Sequence, residues 1–253
     1  MADIPLSNAL SSGQRRAVYV LTSSNATLPI PSWAQGGKGI VRITGCGAGA
    51  SGSVRATPSE RGGGGGAGAF AIDHPMPIPA GVTTLNCQVG VGGAAVSSNT
   101  FTDGNSGGST SVTAGSTSLV LEGGLGGQFT GAGPLRPAYP LPNGMSMTGI
   151  TGSVALGPLG ASLAAGVFSG ASSLGAGALG GNGQQSAQGF GAGAWSPFGA
   201  GGAGVTAVLS NQAGGNATGY GAGGAGANWA SGGNVSSGAG APGLLILEFV
   251  EGL

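Results

Sequence analysis

Any acid–base chemistry in this chain has to start from one histidine. His74 stands in DHPMP beside Asp73 and is the only imidazole in the 253 residues. A nucleophile, base and orienting carboxylate would need His74 as the base. Neighbours on a strand point to opposite faces, so Asp73 is badly placed to orient it. No GxSxG elbow occurs to present a nucleophilic serine. A metal would need His74, Cys46, Cys87 and a carboxylate to converge. Lys38 in GGKG carries the lysine of a phosphate loop, but Gly39 stands where Ser or Thr is required. The chain is therefore read as no enzyme, with no catalytic residue, no metal site and no cofactor. His74 is expected in a surface turn. Cys46 and Cys87 are expected as buried strand thiols; a disulfide between them needs their strands to pair, and a reducing cytosol makes it dispensable.

Composition narrows the partners. Charged residues make up 6 % of the chain, seven positive against seven negative, where about 25 % is usual. No basic patch exists to hold a nucleic acid backbone. No apolar run reaches the ~18 residues that a membrane-spanning helix needs. The start, MADIPLSNALSSGQRRAVYVL, lacks the basic-then-apolar order of a signal peptide. Neither nucleic acid nor membrane insertion is expected.

Positioning elements are read from alternation and turn residues. Met1–Gly13 is polar and irregular. Ala17–Thr22 and Gly39–Cys46 read as strands, and Ala26–Trp33 as an edge strand or extended lead-in because of its prolines. Val54–Gly66, with Arg55, Glu60 and Arg61, reads as a solvated loop. Ala69–Asp73 and Val82–Val91 read as two antiparallel strands around a proline-punctuated turn, with Leu85, Cys87, Val89 and Val91 facing inward. Ser109–Thr113 and Ser118–Glu122 follow as short strands around Ala114-Gly115. Gln128–Ile150, with its prolines, is an irregular loop. The final strand is GLLILEFV, Gly243–Val250, which the simplest topology joins to the sheet formed by residues 17–122.

Between these strands the chain is dominated by glycine, 60 residues in all, and carries no charge between Arg136 and Glu248. A flexible Gly/Ser linker has no use for Phe190, Trp195, Phe198, Tyr220 and Trp229. Collagen needs glycine at every third position, and GAGGAGANWASGG breaks that register. What remains is glycine in extended polyproline-II-like chains laid side by side, their N–H and C=O groups satisfied by neighbouring chains. The expected fold is all-β: a sandwich or jelly-roll-like core with a long glycine-rich insertion packed as polyglycine II helices. Residues 1–35 form an N-terminal arm and attachment segment. Residues 36–253 form a glycine-rich β domain, with the insertion at about 123–243 and the closing strand at 244–250.

The ordered motifs GIVRITGCGAGASG, GGGGGAGAFAIDHPMPIPAGVTTLNCQVGVGGAA, GNSGGSTSVTAGSTSLVLEGGLGG and GAGAPGLLILEFVE resemble the glycine-rich domains of bacteriophage tail-fibre and tail-tip proteins. The likeness covers roughly 36–250. It implies a virion structural protein of the tail fibre or tip, made in the cytoplasm of a bacterial host, with loops on a polyglycine sheaf contributing to host-receptor attachment. The partners implied are other virion tail proteins, a bacterial surface receptor, and further copies of the chain, as in a trimer. The alternative is a purely structural glycine-rich protein of an envelope, wall or fibre. Candidate contact residues are Leu135, Arg136, Tyr139, Met145 and Met147 in the proline-rich loop, with Trp195, Phe198, Tyr220 and Trp229. For each of these four aromatics the favoured reading is a plug at the edge of the sheaf, with contact as the other. Arg15 and Arg16 are candidates for docking onto carboxylates of a partner subunit.

Overall fold

The computed structural model describes residues 15–23, 26–55, 62–127, 174–175, 191–205 and 210–251. It is nearly all β. One sheet holds β1 (Arg16–Leu21), β13 (Leu244–Glu251), β3 (Gly39–Cys46), β5 (Phe70–Pro77) and β10 (Leu174–Gly175), in that order. A second sheet holds β2 (Ala26–Pro29), β6 (Thr84–Gln88), β8 (Thr110–Ala114) and β9 (Thr117–Leu121). Short pairs β4 (Val54–Arg55) with β11 (Ala227–Asn228), and β7 (Ser97–Ser98) with β12 (Val235–Ser236), complete the strands.

The two larger sheets bury their apolar faces against each other. Leu21, Val41, Ile43, Leu245, Leu247 and Phe249 come from the first; Leu28, Leu85, Val112, Leu119 and Leu121 come from the second. Alternation explains the choice of faces: in β13 the residues Leu245, Leu247 and Phe249 point in while Ile246, Glu248 and Val250 are partly exposed. The closing strand lies between β1 and β3, antiparallel to both, as the apolar run GLLILEFV leads one to expect. Residues 16–34 build β1, β2 and a single 3-10 turn at Ser32–Ala34, all of them in or against this sandwich.

Four expectations change. The segment HPMPIP does not end a strand, because β5 runs through Pro75 to Pro77. Among the described residues its far side is paired by β10 only at Phe70 and Ala71, and prolines, with no N–H to give to a ladder, suit a side left unpaired. The strands around that segment do not pair with each other: β5 pairs with β3, whereas β6 lies between β2 and β8. His74 is therefore half-buried in a strand rather than in a turn. Val91 lies beyond the end of β6 and is 77 % exposed instead of facing inward.

Beyond the sandwich, glycine-rich segments form a hydrogen-bonded lattice. An extended chain with three residues per turn aims successive N–H groups a third of a turn apart. Along the segment 47–54 successive N–H groups go to different neighbouring runs in rotation. Gly47, Ala50 and Ser53 donate to Ala69, Gly66 and Gly63; Ala48, Ser51 and Val54 donate to Gly108, Asn105 and Thr102; Gly49 and Gly52 donate to Ala241 and Gly238. Its carbonyls accept from three other runs: Ala48 and Ser51 from Gly124 and Gly127, Gly49 from Gly93, Ala50 and Ser53 from Gly224 and Ala227.

The segment 221–228 repeats the pattern. Gly223 and Gly226 donate to Ala194 and Gly191, Gly224 and Ala227 to Ala50 and Ser53, Ala225 and Asn228 to Gly215 and Gln212. Every residue of 47–54 and of 221–228 is buried. The lattice thus draws on runs from both halves of the chain. Backbones this close leave no room for side chains, and a Cβ on Gly52 or Gly226 would overlap the carbonyls of Ala225 or Gly62.

Candidate interaction surface at the end of the lattice

The lattice has two ends. Segment 47–54 leaves the sandwich at Cys46 and finishes in β4, where Val54 and Arg55 pair in parallel with Ala227 and Asn228. The runs on either side turn round at this far end, which gathers the connections 97–101 and 229–234. The chain also leaves the described residues there at Gly127, whose N–H donates to Ser51, and Gly191, the first residue of the described run 191–205, accepts from Gly226 at the same end. The opposite end of the molecule carries the outer ends of β1 and β13, where the Glu251 N–H donates to the Arg15 carbonyl at 3.1 Å.

At the far end, polar caps hold the loops. The Trp229 N–H donates to the Arg55 carbonyl at 3.1 Å, and its indole N–H donates to the Gly233 carbonyl at 3.0 Å. Trp229 and Val96 pack on Val54, Ala227 and Val235. Asn211 accepts from the N–H groups of Ala230 and Ser231 at 2.7 and 3.1 Å, as a short polar side chain does when it replaces a missing backbone partner. Asn228 donates to the Ser210 carbonyl at 3.1 Å. The Arg55 guanidinium lies 5.5 Å from the centre of the Phe101 ring, within reach of a cation–π attraction. Arg55, expected in a solvated loop, is only 6 % exposed, while Phe101 is 49 % exposed. The resulting surface combines aromatic faces, neutral amides and backbone groups, which is chemistry for recognition by contact and hydrogen bonding.

The candidate aromatics fall into two places. Trp229 belongs to the far end. Trp195, Phe198 and Tyr220 lie on the runs 191–205 and 210–228 beside the sandwich, where the Tyr220 N–H donates to the Phe198 carbonyl at 3.1 Å and the Ser196 hydroxyl donates to the Tyr220 carbonyl. Trp195 is 39 % exposed, and Phe198 and Tyr220 are half-buried. Leu135, Arg136, Tyr139, Met145 and Met147 lie outside the described residues. Arg16 is the first residue of β1 and forms an ion pair through Nε with Glu248 of β13 at 2.5 Å. Arg15 is exposed at the strand's end. Phe101 carried no signal in the sequence beyond being aromatic in a turn-rich loop.

The residues first weighed for catalysis do not converge. Asp73 pairs with Arg42 at 2.5 Å, and burial lowers the His74 pKa from its ordinary value. Cys46 and Cys87 are free thiols in different sheets, each pushed up to about 12 by burial. Lys38 ends an exposed turn leading into β3. No group of three or more His, Cys, Asp or Glu able to hold a metal exists among the described residues. A shallow groove of about 360 Å³ crosses the outer face of β2, β6 and β8, lined by Thr27, Asn86, Gln88, Ser111 and Thr113. Its polar, uncharged side chains are the outward members of strands whose inward members fill the core.

None of the curated proteins searched matches the chain. The model of the family described as Glycine-rich domain matches residues 21–250, a span that takes in the sandwich from the end of β1 and the whole lattice, so the chain belongs to the glycine-rich domain family.

Proposed function

We propose that this protein is a structural component of a bacteriophage virion, in the tail fibre or tail tip, and that it contributes to host-receptor attachment through loops held on a polyglycine II sheaf. The observation that carries this reading is the polarity of the lattice: loops with Phe101 and Trp229 gather at one end, and the outer ends of β1 and β13 lie at the other. Attachment by the end near Arg15 to other tail proteins leaves the loop end facing outward. A lattice fixed by backbone hydrogen bonds lets loop residues vary while the support stays constant. Buried, unpaired thiols fit synthesis in a reducing bacterial cytoplasm. This reading involves no catalytic step and no cofactor.

Adsorption to host cells tests it. The purified protein should bind intact host cells saturably and compete with whole particles, and Phe101→Ala, at a side chain 49 % exposed, should weaken that binding while the melting temperature stays close to wild type. Binding that never saturates on any tested host would favour the alternative, a glycine-rich structural protein without a receptor.

A further inference from the structure

The outer face of the five-stranded sheet carries four charges on an oblique line across β1, β13, β3 and β5. Arg16, Glu248, Arg42 and Asp73 alternate positive, negative, positive, negative, and pair as Arg16–Glu248 and Arg42–Asp73, both at 2.5 Å. Glu248 and Arg42 are themselves directly opposite in the register. Around them the face is mostly apolar, with Val18 and Val20 on β1, Ile246 and Val250 on β13, Ile40 on β3 and Ile72 on β5, and with Thr44 of β3 beside Asp73 as a neutral polar member. Val20 is 46 % and Ile72 48 % exposed, which is unusual for the middle and edge of one continuous surface in a chain this poor in charge.

An even, alternating row of charges has one geometric property. Turned over by a two-fold axis lying in the plane of the face and crossing the row, it meets a copy of itself with every sign opposed. The first residue faces the fourth and the second faces the third. We propose that this face is an isologous dimer interface, in which Arg16 meets Asp73 of a second copy and Glu248 meets its Arg42, with the surrounding valines and isoleucines excluding water. Each chain brings its charges already paired, so assembly buries no isolated ion. A nucleic acid or a strongly charged partner finds no net charge here to complement. The proposal is independent of the fibre reading, since it concerns only the protein with itself.

Sedimentation velocity on the whole chain tests it. Wild type should be a dimer at micromolar concentration. Glu248→Arg and Arg42→Glu should each weaken self-association by at least about tenfold, because each opposes like charges twice across the two-fold axis. An equimolar mixture of the two variants should restore a one-to-one heterodimer, since every opposed pair then has opposite signs. Val20→Lys, which touches neither ion pair, should also weaken the dimer and serves if a charge variant fails to fold. A monomeric or trimeric wild type would overturn the proposal, as would variants that associate like wild type or a mixture that stays monomeric.

Discussion

Gly49 and Ala222 approach so closely that a methyl group on Gly49 would overlap the Ala222 carbonyl oxygen. The two residues lie on the two fully buried segments of the lattice, and Ala222 in turn accepts a hydrogen bond from Ala241, whose own carbonyl accepts from Gly49. Glycine is required at this point by the distance between backbones.

Gly49→Ala should therefore be severely destabilising, by about 3 kcal/mol or more, because the obstructing atoms are backbone and cannot move aside as a side chain would. Gly233→Ala is the control. A Cβ there meets nothing within 4 Å, and the change should fall within about 0.5 kcal/mol of wild type. Denaturant midpoints of the two variants should differ widely. Equal midpoints would contradict the close approach of Gly49 to the Ala222 carbonyl.

The β-bulge between β3 and β5 offers a second comparison. Asp73 has φ 54, a conformation that most L residues avoid, and its N–H donates to the Thr44 hydroxyl at 2.9 Å. Thr44→Val removes that acceptor and should cost about 1 kcal/mol. Asp73→Gly loses an exposed ion pair worth about 0–1 kcal/mol but relieves the backbone. It should be nearly neutral in thermal melting.

The cysteines predict an alkaline limit. Burial raises both thiols from 9.0 to about 12. The folded values lie above the unfolded one, so this stabilisation is complete below pH 9 and is lost as pH rises towards 12. Unfolding midpoints should fall across that window, and a Cys46→Ala, Cys87→Ala double variant should show a flatter profile. Native protein at pH 8 should resist thiol alkylation until denaturant is added; rapid labelling without denaturant would contradict the burial.

Much of the sandwich was legible in the sequence, because burial on one face imposes alternation. GIVRITGC became β3 residue for residue, and the pair around Ala114-Gly115 became the β8–β9 hairpin. The β5 prolines misled because an edge tolerates what an interior strand does not, and edge status is a tertiary fact. The centre of the lattice was not legible for a different reason. GAGASGSV and GAGGAGAN are surrounded on all sides, yet their composition matches that of the runs at the rim, since close backbones demand small residues in both places. The Arg55–Phe101 contact was hidden too. An arginine in a charged, glycine-flanked stretch reads as solvated, and only the pairing of β4 with β11 buries it.

Amide hydrogen exchange tests the cross-bonded lattice most directly. The N–H groups of 47–54, Gly221 and 223–228, each bonded to another run of the chain, should exchange as slowly as those of β3 and β13 in the sandwich, through global unfolding. Exchange of those fifteen positions within the dead time, with β3 and β13 still protected, would show that no hydrogen-bonded lattice holds the loops.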